Sequence, residues 1–126
     1  MRMGVTLDVP DIAAGTAFYG GLLGFAEVAR PHPAYAILRA GDLTLGLMEK
    51  APCTRPTPAE GTERDYARHW TPVHLDFHID DFDATLARVT TLGGTVEERH
   101  AAPGRPPVAF CADPFGHGFC LLGPRP

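Results

Sequence analysis

The chain has 126 residues, the length of one compact domain, and 44% of them are hydrophobic, which is enough to form a core. Charged residues make up 21% and the formal net charge is −4, without a block of like charges, so neither nucleic acid nor an anionic membrane is expected as a partner. No apolar run approaches the roughly 20 residues that span a bilayer, and the start of the chain lacks the apolar segment of a secretion signal. The three cysteines, Cys53, Cys111 and Cys120, show no CxxC spacing, which is typical of a reduced cytoplasmic protein.

The first part of the chain predicts a strand, a helix and three further strands. Residues 4–9, GVTLDV, alternate apolar and polar side chains, as in a half-buried strand. Asp11 stands where a helix would begin, apolar residues then recur at helical spacing, and Gly24 is expected to end the helix. The following strand candidates read FAEVAR, YAILRA and LTLGLME, with a tight turn at Gly41-Asp42 between the last two.

The same order returns in the second part of the chain, starting at His74. HLDFHI alternates as a strand, Asp80 or Asp81 caps a helix, Gly93-Gly94 ends it, and TVEERH, PVAFCAD and GFCLLG are the following strands. GVTLDVPDIAA and HLDFHIDDFDA match in pattern when written one above the other. The chain is therefore predicted to be an α+β fold made of tandem βαβββ modules.

A long segment joins the two modules and has no periodic pattern. We expect one structural domain with a first module at residues 1–50, a linker arm at 51–72 and a second module at 73–126. The arm is rich in proline, threonine and charge, and it is much longer than the usual connection of about 4–6 residues. It is either a functional lid or a passive linker with a short helix at Glu63–Arg68, and the pattern does not separate these two interpretations.

Three stretches give the chain a family resemblance. VTLDVPDIAAGTAFYGGLLGF, VHLDFHIDDFDATLARVTTLGG and ADPFGHGFCLL resemble the first strand and helix of each module and the last hairpin of the vicinal oxygen chelate superfamily. That superfamily includes glyoxalases, extradiol dioxygenases, fosfomycin-modifying enzymes and bleomycin-binding resistance proteins. The resemblance implies cupped mixed sheets with helices on the convex face, and a homodimer that closes the sheet edges.

The resemblance also says where a metal would bind. In the metal-dependent members the ligands occupy the positions of Gly4, Gly46, His74 and Cys120, and only His74 is of the expected residue type. Glycine has no side chain, Glu49 falls by parity on the wrong face of its strand, and catalytic metals usually take at least three protein ligands. We therefore expect no metal and no other cofactor.

An enzyme remains the alternative. His74, Asp76 and His78 share one face of a strand, and Cys120 is expected in the same cup. These four residues would serve a lyase, isomerase or dioxygenase as metal ligands, or Asp76 would orient a histidine for acid–base catalysis. The simpler interpretation is that they are the hydrogen-bonded polar lining of a solvated cavity.

If the metal is lost, the resemblance points to the metal-free drug-binding members. It implies sequestration of a bulky hydrophobic or aromatic natural product in clefts of a homodimer, as in antibiotic self-resistance, without catalytic residues. Trp70, the only tryptophan, either stacks on the ligand or packs at the dimer interface, and Phe115 is expected near the cup's rim. The expected ligand-binding residues line the cup or its rim: Tyr35, Met48, Tyr66, His69, Trp70, His74, Asp76, His78, Phe110 and Cys120.

Overall fold

The chain forms two compact units, each with one helix and one four-stranded sheet. The computed structural model describes Met1, residues 3–59 and residues 61–126, and the units are Met1–Tyr66 and Ala67–Pro126. The prediction of an α+β fold with tandem βαβββ modules is confirmed. The elements in chain order are β1 (Val5–Val9), α1 (Ile12–Leu23), β2 (Ala26–His32), β3 (Tyr35–Ala40), β4 (Leu43–Glu49), β5 (Leu75–His78), α2 (Phe82–Thr91), β6 (Thr95–His100), β7 (Val108–Ala112) and β8 (Gly118–Leu122).

The two sheets have the same topology. Their strand orders are β1-β4-β3-β2 and β5-β8-β7-β6. The first and last strands of each module are parallel neighbours, and the other pairs are antiparallel. Thr6 pairs with Gly46 in the first sheet and Asp76 pairs with Cys120 in the second, so the repeat seen in the sequence holds at the level of register.

Capping residues determine where the helices begin and where α1 ends. The carboxylate of Asp11 accepts a hydrogen bond of 2.7 Å from the backbone N–H of Ala14, and Gly24 ends α1 in a left-handed conformation with φ of 74°. Asp81, rather than Asp80, caps α2, with 3.3 Å to the N–H of Ala84. Within the described residues, no helix has the length and apolar character needed to cross a membrane.

Each core lies between the helix and one face of its sheet. In the first unit, Phe18, Tyr19 and Leu22 of α1 and the facing Val9 and Leu47 are at most 2% exposed. In the second unit the same role falls to Phe82, Val89, Ala109, Cys111, Phe119 and Leu121. The opposite face of the second sheet carries the side chains of Asp76 and Cys120, which are paired across β5 and β8.

Phe115 does not lie at a rim as expected, because the hairpin between β7 and β8 turns it inward. It is only 7% exposed and belongs to the core. The buried carboxylate of Asp113 accepts hydrogen bonds of 2.9 Å from the backbone N–H groups of Phe115 and His117, which tightens the turn. Its other oxygen lies 2.9 Å from Nδ1 of His117.

The arm between the modules has no short helix at Glu63–Arg68, so the prediction of a helix there is wrong. In the first unit, backbone hydrogen bonds of 2.9 Å pair Arg64 with Cys53 and Thr54 in an irregular loop. The guanidinium of Arg64 lies 2.6 Å from the carboxylate of Asp8, and the Tyr66 hydroxyl donates to the carbonyl of Lys50 at 2.7 Å. These side-chain contacts to the sheet determine the local backbone, and they do not follow a helical repeat.

Candidate functional site in the second module

The second unit contains a pocket of about 460 Å³ on the sheet face opposite α2. One wall comes from the arm and the others come from the sheet. The residues that line it are Arg68, Trp70, Thr71, His74, Glu97, Glu98, Phe110, Cys111, Gly118, Phe119 and Cys120. It thus combines exposed aromatic rings with both acidic and basic groups, which is the composition of a site for a small organic molecule.

Three polar side chains form a cluster at the start of β5. Nδ1 of His74 lies 2.8 Å from a carboxylate oxygen of Asp76 and 3.6 Å from Sγ of Cys120. The alternation along the strand brings His74 and Asp76 to one face, and the parallel register brings Cys120 beside Asp76. All three ligand-type atoms lie within 4.8 Å of one another.

The thiol in this cluster is held in its protonated form. Burial, and then the hydrogen bond and charge of Asp76, raise the pKa of Cys120 from an ordinary value of 9.0 to about 11. A protonated thiol is a poor nucleophile. The cluster as it stands is therefore a hydrogen-bonded network in which Asp76 is the common acceptor.

A second polar contact connects the arm to the sheet. The guanidinium of Arg68 makes a bidentate ion pair with Glu97, with Nε–Oε1 of 2.5 Å and Nη2–Oε2 of 3.0 Å. This hydrogen-bonded pairing lowers the pKa of Glu97 and raises that of Arg68. Both groups are consequently charged at neutral pH, and their opposite charges lie together in the pocket wall.

The aromatic part of the pocket is open to solvent. Trp70 is 80% exposed and Phe110 is 39% exposed, although both are large apolar side chains. The Phe110 ring meets the His100 ring edge to face, with centroids 5.5 Å apart. Exposed apolar surface of this kind is typical of a binding site.

The corresponding position in the first unit is filled by the chain itself. A Cβ added at Gly46 would lie 2.6 Å from Oγ1 of Thr6 and 3.0 Å from the ring of Tyr35. Gly4 offers no side chain, and the Glu49 carboxylate accepts a hydrogen bond of 3.0 Å from the N–H of Ile12 at the start of α1. The donor set that the superfamily uses for its metal therefore does not fit this chain.

The structure brings some of the expected ligand-binding residues together. Trp70, His74, Phe110 and Cys120 line the pocket, and Asp76 contacts two of them. His69 and His78 are not among its lining residues; Nδ1 of His69 lies 2.8 Å from the carbonyl of Ala67. The remaining expected residues, Tyr35, Met48 and Tyr66, belong to the first unit.

Among the lining residues, sequence reasoning missed Arg68, Thr71 and Glu97. Arg68 and Thr71 lie in the arm, whose irregular backbone gives no periodic signal. Glu97 lies within a register irregularity between Val96 and Glu98 in the pairing of β6 with β7, so simple alternation does not predict its direction. The length of the arm and its aromatic residues pointed to a role for it, but not to these polar residues.

Comparison with known proteins agrees with this fold. Residues 4–122 match the family model of the glyoxalase-like domain. The chain is 34% identical over 123 residues to proteins named "Putative glyoxylase CFP32" from Mycobacterium bovis and Mycobacterium tuberculosis. The match covers 94% of this chain but 41% of those relatives, so the chain spans about two fifths of their length.

Solved structures show the same architecture. The fosfomycin resistance protein FosX from Listeria monocytogenes superposes with a TM-score of 0.75 at 19% identity, covering 98% of this chain and 93% of that one. Lactoylglutathione lyase from Agrobacterium tumefaciens gives 0.65 at 20% identity, with 98% and 92% covered. The chain belongs to the glyoxalase-like domain family.

Proposed function

We propose that this chain binds a small organic molecule with a flat apolar or aromatic part in the pocket of the second module, and holds it unchanged. The observation that carries the proposal is that Trp70 and Phe110, 80% and 39% exposed, line one pocket. Rigid aromatic side chains give large contact area at a low entropic cost, because they have few rotatable bonds. A flat ligand would cover both rings.

Polar groups beside the rings would orient the ligand. His74 uses Nδ1 for Asp76 and Cys120, and among the described residues its Nε2 atom has no hydrogen-bond partner. That nitrogen can accept from or donate to a ligand, depending on which tautomer is present. Arg68 and Glu97 supply a charge of each sign at the same pocket.

The donor chemistry supports binding over metal-dependent catalysis. Two of the four superfamily ligand positions are glycine, and catalytic metals usually take at least three protein ligands. No cofactor is needed for a pocket that only binds. We propose sequestration of a hydrophobic or aromatic natural product in the cytoplasm as the biological role, supported by a fold shared with fosfomycin resistance proteins.

We also propose a homodimer in which a second copy closes the binding cleft. Val73, 75% exposed, stands in the chain between the pocket-lining residues Thr71 and His74 and adds exposed apolar surface. A second copy that covers this surface would remove it from water, which favours association. Analytical ultracentrifugation at micromolar concentration is expected to give twice the chain mass, and a monomer would contradict this part of the proposal.

The binding proposal is tested with 8-anilinonaphthalene-1-sulfonate, a flat aromatic probe whose own fluorescence reports binding. Replacing Trp70→Ala is expected to weaken binding by roughly 1–2 kcal/mol, whereas Trp70→Phe retains an aromatic surface and most of the affinity. Calorimetry measures both. Equal affinity for the Ala variant and the unchanged protein would overturn the role of Trp70. Mass spectrometry of released natural-product candidates that bind should return each one chemically unchanged.

A second candidate is an enzyme of the family that uses His74 with Asp76 and Cys120. The observation that favours it is that three ligand-type atoms lie within 4.8 Å of one another; His78 is not part of this group. Such an enzyme, a glyoxalase-like lyase, an isomerase or a dioxygenase, would hold a divalent ion or use His74 as an acid–base group. Elemental analysis after incubation with Zn²⁺, Mn²⁺, Ni²⁺ or Fe²⁺ and desalting separates the candidates. One ion per chain that is lost with His74→Ala would favour the enzyme.

A further inference from the structure

The arm segment 67–72 forms part of the pocket, although it has no regular secondary structure. Three of its residues, Arg68, Trp70 and Thr71, line the pocket. Segments without backbone ladders keep their position only through individual contacts. The contacts that hold this segment therefore also determine where the Trp70 ring lies.

Arg68 makes most of these contacts. Two of its nitrogens reach both carboxylate oxygens of Glu97, at 2.5 and 3.0 Å, and Nη1 donates to the backbone carbonyl of His69. One side chain thus ties the arm to β6 and fixes the peptide unit that precedes Trp70. The planar guanidinium gives this connection a defined orientation, which a lysine could not provide.

The sheet beneath Arg68 is shaped to receive it. A Cβ added at Gly118 would lie 2.9 Å from Nη2, 3.1 Å from Nη1 and 3.2 Å from Cζ of Arg68. These distances are shorter than ordinary van der Waals contacts, so any side chain at this position would push the guanidinium away from the sheet. Gly118 leaves the space that the guanidinium occupies, and the carboxylate of Glu97 binds the guanidinium in that space.

We propose that Arg68, Glu97 and Gly118 form a latch that holds segment 67–72 as a pocket wall and positions Trp70 for ligand binding. Arg68 and Glu97 are positioning residues, and their effect on affinity rests on the proposed function. The side chains of the pair are 36% and 32% exposed, so the pair contributes little to global stability. Its effect is local order in the arm.

The first test removes the charge of the latch with Glu97→Gln. Because Trp70 is the only tryptophan, time-resolved fluorescence anisotropy reports the motion of this ring alone. The amplitude of the fast decay is expected to rise without any ligand present. Glu27→Gln is the matched control, since Glu27 makes a similar bidentate pair with Arg30, at 2.8 and 2.6 Å, in the first unit. The same decay in both variants and the unchanged protein would overturn the latch.

The second test displaces Arg68 while keeping its charge. Gly118→Ala is expected to raise the fast amplitude as Glu97→Gln does, whereas Gly4→Ala, where a Cβ meets nothing within 4 Å, is expected to leave it unchanged. Affinity for 8-anilinonaphthalene-1-sulfonate should fall roughly two- to fivefold in both latch variants. Greater Trp70 motion with unchanged affinity would overturn the role in binding. If the unchanged protein does not bind the probe but Glu97→Gln still frees Trp70, the proposed function fails and the latch stands.

Discussion

Asp76 lies directly beside Cys120 in the parallel pairing of β5 with β8, and its carboxylate accepts a hydrogen bond from the thiol. The same carboxylate is 2.8 Å from Nδ1 of His74. One acceptor therefore serves both neighbours, and its negative charge disfavours the thiolate of Cys120. This arrangement explains why a cysteine beside a histidine in a pocket is not an activated nucleophile.

Asp76→Ala is expected to lower the pKa of Cys120, because it removes both the hydrogen bond and the negative charge that raise it. Burial, the largest cause, stays, so the pKa remains above the ordinary value. Alkylation by iodoacetamide between pH 8 and 10.5, followed residue by residue with mass spectrometry, measures the change. Exposed Cys53 is the internal reference. Unchanged alkylation of Cys120 in the variant would show that Asp76 does not control the thiol.

Stability is expected to fall above about pH 9 because two buried thiols resist ionisation. Burial is the main cause that raises the pKa of Cys111 to about 12 and that of Cys120 to about 11, from an ordinary value of 9.0. Between the unfolded and folded values the native state binds more protons than the unfolded state, so the free energy of unfolding decreases as pH rises. The limiting slope is about 1.4 kcal/mol per pH unit for each thiol.

Urea denaturation from pH 7 to 10.5 measures this decrease. Cys120→Ala is expected to reduce the slope above pH 9, because one of the two thiols is removed. Cys53→Ser is the control, since Cys53 is exposed. A slope that is the same in Cys120→Ala as in the unchanged protein would mean that Cys120 is not one of the groups responsible.

Gly46→Ala is expected to destabilise the first unit by roughly 1–3 kcal/mol, because the added Cβ would meet Thr6 Oγ1 at 2.6 Å and the Tyr35 ring at 3.0 Å. Adding Thr6→Ala and Tyr35→Ala is expected to relieve the overlap, so the effect of the glycine substitution should shrink in that background. Urea denaturation compares the two backgrounds. Equal losses in both would mean that these two side chains are not the cause.

Asp113→Ala is expected to cost about 2–3 kcal/mol, since it leaves the buried N–H of Phe115 and the part-buried N–H of His117 without their carboxylate acceptor. Asp113→Asn keeps an acceptor oxygen and should lose less. The free energy of unfolding, measured at pH 7, ranks the variants. Asp42→Ala, in the exposed turn between β3 and β4, is a suitable control because Asp42 is exposed. A loss no larger than that of Asp42→Ala would contradict the assignment.

The regular part of the fold could be predicted because its signals are local. Asp11 and Gly24 determine where α1 begins and ends, and both act within a few residues along the chain. The register that pairs Asp76 with Cys120 follows from alternation and from the repeat. For the helix ends the neighbouring sequence carries the signal, and for the strand pairing the repeat supplies it.

The arm could not be predicted, because its position depends on residues far away in the sequence. The position of Arg68 depends on Glu97 and Gly118, which lie 29 and 50 residues further along the chain. Nothing near Arg68 indicates either partner. A distant contact also explains why no short helix forms at Glu63–Arg68. Arg64 pairs there with Asp8, which lies far away in the sequence.

Gly46 and Cys120 occupy equivalent positions in the two modules, but only Cys120 lines the pocket described above, and this difference affects how many ligand molecules one chain can bind. A duplicated fold would in principle offer two equal binding places per polypeptide, but Tyr35 and Thr6 already occupy the space over Gly46. At saturation we therefore expect one bound ligand molecule for each copy of the chain. Under the proposed function, the first module then serves as scaffold and the second as receptor.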